Sequence, residues 1–119
     1  MEKIYLQGGT LQITEKDKVY QVEKGHVLVY LMPYVDGKPG RRLFLRECCE
    51  GEEIPGFFYE NSLLGSWCIG LTALDKAELR ADAKEISEEL KLSFAERINL
   101  TLWDVEEYEE QLVEKYNLN

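Results

Sequence analysis

Residues 19–58 read VYQVEKGHVLVYLMPYVDGKPGRRLFLRECCEGEEIPGFF, and the way this stretch divides decides the fold. VYQV (19–22) leads through Glu-Lys-Gly into HVLVYLM (26–32), a run rich in β-branched and aromatic residues, as strands are. Leu28, Tyr30 and Met32 fall on one face of that run, and Val27, Val29 and Leu31 on the other. Both faces are apolar, which predicts a central, buried strand. Pro33 is expected to end its pairing, because proline brings no N–H to a ladder. YVDGKPG (34–40) carries Asp-Gly and Pro-Gly, the signals of a hairpin with an extended tip. RRLFLREC (41–48) returns as the partner strand, with Leu43, Leu45 and Glu47 alternating with Arg42, Phe44 and Arg46.

Outward from this hairpin, more short strands are expected. KIYLQ (3–7) and TLQIT (10–14) flank Gly8-Gly9, and EKDK (15–18) makes a charged turn. Downstream of a loop after EGEEIPGFF, WCIGLTA (67–73) is a strand, and AELRA (77–81) is the last one. Near residue 82 the period changes. Ile86 and Leu90 are four apart, and Ser93-Phe-Ala-Glu96 fits a capping box, in which serine and glutamate satisfy each other's backbone N–H groups. Phe94, Ile98, Leu102, Val105, Leu112 and Tyr116 then form one apolar stripe, with Trp103 and Tyr108 off it. The pattern predicts a helix over 82–91 and a longer one over 94–116. Many antiparallel strands followed by two helices make a mainly β chain: a β-roll or jelly roll over 1–81 and C-terminal α-helices over 82–119, in one domain.

The chain has 119 residues and suits one domain with one modest core. Its net charge of −9 is uneven: residues 81–119 hold 11 acids and 4 bases, and residues 1–80 hold 12 and 10. A solvated, acidic helix face explains most of that charge, and nucleic-acid binding is disfavoured because phosphates would meet like charge. No apolar run is long enough for a membrane span, and MEKIYLQGG lacks the layout of a signal peptide, so a cytoplasmic setting without membrane insertion is expected. Cys48, Cys49 and Cys68 are odd in number and lack metal-ligand spacing, which predicts buried, reduced thiols.

In its order of strands and turn glycines (Gly25, Gly37, Gly51, Gly56), VYQVEKGHVLVYL…DGKPGRRLFLRECCEGEEIPGFF resembles cyclic-nucleotide-binding-type domains, which are cupin-like β-rolls. ALDKAELRA (73–81) looks like that family's closing hairpin. The same run is similar, more narrowly, to the N-terminal domain of ABC-type exporters of peptides with nitrile-hydratase-like leaders, the bacteriocin-export class. That resemblance implies a fragment or detached relative of such a transporter, with a permease and an ATPase as the missing parts.

The family's nucleotide-binding members place a Gly-Glu pair and then an arginine between two strands, the glutamate taking a ribose hydroxyl and the arginine the phosphate. Here Glu60 stands at the acid's position, Tyr59 replaces the glycine, and no arginine lies between Arg46 and Arg80. A buried phosphate without a cation costs several kcal/mol, so the cradle reads as degenerate. Arg41, Arg42 or Arg46 could supply charge from the neighbouring hairpin, although a solvated strand edge is the reading that protection against edge pairing favours for them. His26 is the only histidine, too few for a cupin-like metal site or a cysteine–histidine pair.

These observations predict a non-enzymatic regulatory or docking domain that works without a cofactor or metal. Its partner would be protein, either transporter domains or a second copy. The contacts would come from the C-terminal helix through Ile98, Leu102, Trp103, Val105, Tyr108 and Leu112. The alternative is a small-molecule sensor with a pocket formed by Tyr59, Glu60, Trp67 and Cys68.

Overall fold

The computed structural model describes residues 2–34, 42–61 and 65–98. Among the described residues nine strands form two antiparallel sheets: β1 (Glu2–Leu6), β2 (Leu11–Ile13), β3 (Lys18–Lys24), β4 (Val27–Pro33), β5 (Leu43–Cys48), β6 (Glu53–Pro55), β7 (Phe58–Asn61), β8 (Gly65–Ala73) and β9 (Ala77–Ala83). One sheet has the order β1-β9-β3-β6 and the other β2-β8-β4-β5, with β7 also paired to β8. A helix, α1, covers 88–98.

The roll follows from three ribbons that bend from one sheet into the other at a shared corner. β3 passes to β4 at Gly25, β5 to β6 at Gly51, and β8 to β9 at residues 74–76. Hydrogen bonds tie the three bends together. The Gly51 N–H donates to the Val22 carbonyl at 2.8 Å, the Val22 N–H to that of Glu52 at 3.0 Å, and the Leu74 N–H to that of His26 at 3.2 Å. Gly25 has φ of +88°, and a Cβ there would strike the Lys76 carbonyl, so the corner admits only glycine. The β8–β9 connection is therefore not the closing hairpin that the family resemblance implied. β9 pairs with β1 and β3, while β8 pairs with β4, β2 and β7.

The core lies between the sheets. Val27, Val29 and Leu31 of β4 are fully buried and pack with Leu45, Ile69, Leu71 and Leu79. β4 is central, as its composition predicts, but burial is lopsided: on the outer face Met32 is buried, whereas Leu28 and Tyr30 are only half-buried. Pro33 does not end the strand's pairing on both sides. Contact with β5 stops at Leu31–Leu43, yet Pro33 stays in register with Trp67 and the Tyr34 N–H donates to the Ser66 carbonyl at 2.8 Å. Proline lacks a donor only on its own N–H side, so the ladder continues along the β8 edge.

The C-terminal region differs from the two-helix expectation. β9 runs to Ala83, residues 84–87 are extended or irregular, and α1 is continuous across residues 92–94. Ser87 is the cap, its Oγ accepting from the Leu90 N–H at 3.2 Å. Ser93 instead lies inside the helix and donates to the Leu90 carbonyl at 2.7 Å. Residues 99–116, the rest of the longer predicted helix, lie outside the described residues, as do most of the hairpin tip and Arg41.

Candidate functional site

The stretch at which an anion cradle was tested in the sequence folds as a hairpin. β7 pairs with β8 through Phe58–Cys68, Tyr59–Trp67, Glu60–Ser66 and Asn61–Gly65. Beyond Asn61–Gly65 only residues 62–64 complete the connection, so β7 is a strand where the sequence suggested a loop. Residues 53–55 of the same stretch are also a strand, β6, paired with β3. Both are short and broken by Pro55-Gly56, which hides their period-two signal.

Alternation along β7 and β8 separates the four predicted pocket residues. Tyr59 and Trp67 face the core: Trp67 is 5% exposed within the main cluster, and Tyr59 packs against that cluster. Glu60 is exposed on the opposite side of β7. Cys68, next to Trp67 on β8, turns away from the core cluster and is fully buried opposite Met32 and Phe58. On that outer face Phe58 meets Tyr34 edge to face at 5.7 Å. The four residues thus divide between two faces.

A cleft of about 520 Å³ opens elsewhere, between the β6–β7 segment and α1. Phe57, Tyr59, Phe94 and Ile98 supply apolar walls, and Lys16 and Lys91 the charged ones. Ile98 is the one residue of the predicted interaction helix within the described chain, and it is 6% exposed. Leu102, Trp103, Val105, Tyr108 and Leu112 lie outside the described residues. Sequence reasoning assigned Phe94 and Ile98 to a stripe but missed both lysines. Their convergence depends on the turn at 15–18 and the start of α1 meeting in space, which no local spacing encodes.

α1 is held to β5 by two arginines. The Arg97 Nε donates to the Leu45 carbonyl at 3.0 Å. The Arg46 guanidinium lies 5.3 Å from the centre of the Phe94 ring and forms an ion pair with Glu52. Arg46 is therefore engaged in structural contacts. Arg42, the other described member of the predicted edge arginines, stacks 5.7 Å from the Tyr30 ring. β5 is an edge strand, as expected for that run.

The thiols divide as well. Cys48 and Cys68 are buried and free, and burial pushes both thiols up to about 11. Cys49 is exposed, contrary to the expectation that all three are buried. As neighbours on the chain at the end of β5, Cys48 and Cys49 cannot both point inward. Cys49 donates both its N–H and its thiol to Glu52 Oε1, each at 3.0 Å. The thiol contact raises the Cys49 pKa and lowers that of Glu52. His26 sits at the exposed corner with Nδ1 2.9 Å from Glu47 Oε1. Among the described residues no group of three or more His, Cys, Asp or Glu side chains is placed to hold a metal. No described helix is long and apolar enough to cross a membrane.

No family model and no curated protein matches the chain. Among solved structures it is similar to the catabolite activator protein of Thermus thermophilus, at 19% identity and a TM-score of 0.43, covering 98% of this chain and 52% of that one. It is also similar to a transcriptional regulator of the CRP/FNR family from Thermus thermophilus (19%, TM-score 0.44, covering 94% and 57%). A third likeness is to an EAL enzyme in its cAMP-bound form (17%, TM-score 0.46, covering 98% and 33%). The chain spans about half the length of the first two and a third of the last.

Proposed function

We propose that the chain is a non-catalytic regulatory or docking domain, built on a β-roll of the cyclic-nucleotide-binding kind whose anion cradle is degenerate. One observation carries the reading. Where the resemblance puts the nucleotide's phosphate, this chain pairs β7 with β8, with Trp67 buried in the core and Tyr59 packed against it. Neither β7 nor β8 carries an arginine, and a phosphate there would displace an aromatic pair, both costly. The cytoplasmic N-terminal part of a peptide-exporting ABC transporter is the setting in this reading, resting on the sequence resemblance alone. The alternative, a small-ligand sensor, draws its support from the cleft beside α1.

The docking role runs through the C-terminal stripe, to transporter domains or to a second copy. Sedimentation equilibrium of the chain, and of the Trp103→Ala/Tyr108→Ala variant, tests the second-copy form. A concentration-dependent mass that the variant abolishes supports it, and a mass of one chain at every concentration removes it. Coding sequence for a permease and an ATPase following Asn119 would support the transporter setting, and an unrelated reading frame would refute it.

A further inference from the structure

The chain carries 23 acidic and 14 basic residues, yet among the described residues the aromatic cleft beside α1 is lined by two lysines and no acid. Lys16 comes from the turn before β3 and Lys91 from the first turn of α1. The Lys16 ammonium has no ion pair or hydrogen bond among the described residues. Lys91 has only Glu88, at 3.3 Å, whose side chain is 84% exposed. A pairing so open to water contributes little and is readily exchanged. A second cleft, of about 420 Å³, adjoins the first and shares Lys16, Ile86 and Lys91. Its acids, Asp17 and Glu85, lie on that far side, where Lys84 is already paired with Glu53 at 3.1 Å.

The shape and chemistry of the cleft select a ligand. Its volume lies in the range of small-molecule sites. Phe57 and Tyr59, both half-buried, offer ring surface to a flat apolar body, and the buried Phe94 and Ile98 also line the cleft. Two lysine ammonium groups, on a lining that among the described residues holds no acid, act as point charges that suit a small anionic group such as a carboxylate. The net charge of −9 opposes anions at long range, but salt screens that field beyond about 8 Å, so the nearby lysines decide.

We propose that this cleft binds a small aromatic carboxylate, with its ring system against Phe57 and Tyr59 and its carboxylate at Lys16 and Lys91. The site borders the core through Tyr59, Phe94 and Ile98, and it stands without the docking role.

Calorimetric titration of the full chain with 1-naphthoate tests the proposal, with neutral 1-naphthylmethanol and inorganic phosphate as controls. Saturable one-to-one binding of naphthoate is expected, with no phosphate binding. The Lys16→Gln/Lys91→Gln variant, altered only on the surface, should bind about tenfold more weakly, as loss of a partly exposed charge-assisted contact implies. Ala95→Leu, which keeps a good helix former and fills the cleft, should abolish binding. Absent naphthoate binding, equal affinity for the neutral alcohol, or unchanged affinity in the lysine variant would each overturn the proposal. The sedimentation result for docking would stand in every case.

Discussion

At the scale of single residues, Gly25 and Gly51 occupy the same corner and both have φ near +90°. They differ in their surroundings. A Cβ on Gly51 meets nothing, whereas on Gly25 it collides with the Lys76 carbonyl and comes within 3.1 Å of the Ala77 Cα. Gly51→Ala should cost about 1–2 kcal/mol, the penalty of a left-handed backbone alone. Gly25→Ala should cost clearly more, because backbone of the neighbouring ribbon must shift. Urea denaturation of the two variants checks the order, and equal midpoints would contradict it. The buried thiols give a second residue-scale expectation. Folding holds Cys48 and Cys68 as neutral thiols, with pKa about 11 against 9.0 for an unperturbed thiol. Groups raised on folding contribute stability that is complete below the unfolded pKa and lost as pH climbs to the folded one. Stability should therefore fall between pH 9 and 11, and Tyr20, also raised by burial, acts in the same direction. A Cys48→Ala/Cys68→Ala variant should show a shallower fall in urea midpoint over that window.

At the scale of elements, α1 shows how a local motif is overruled. Ser93 and Glu96 have the spacing of a capping box, but Phe94 and Ile98 are needed on one buried face together with the turn before them. Continuing the helix through Ser93 keeps that face against β5 and the β6–β7 segment. Ser87, followed by two glutamates in the first turn, is the residue that caps the helix in the structure. Ser87→Ala should cost about 1 kcal/mol and Ser93→Ala less than about 0.5 kcal/mol, measured by thermal or urea unfolding. Phe94→Ala, which empties a core position and strips Arg46 of its ring, should cost about 3–5 kcal/mol. The long strands β4, β5 and β8 were legible because each carries six or more residues of strand composition. β6 and β7 were not, since three or four residues beside Pro55-Gly56 give no usable period. The aromatic half of the cleft was partly legible in Tyr59 and Ile98. Its lysines were not, because a turn 75 residues away from Lys91 in sequence supplies Lys16.

At the scale of the whole molecule, three bent ribbons explain both sheets, the corner glycines and the position of α1. The resemblance to cyclic-nucleotide-binding domains implies a glutamate and an arginine near the connection before β8 to hold a sugar-phosphate. In this chain β7 and β8 pair up to Asn61–Gly65 without an arginine, Arg46 is engaged by Glu52 and Phe94, and Trp67 is buried in the core. Isothermal titration of the full chain with cAMP and cGMP is the most direct test. The account predicts no saturable heat up to millimolar nucleotide. One-to-one binding of either at micromolar concentration, lost on substitution of Tyr59 or Trp67, would contradict it.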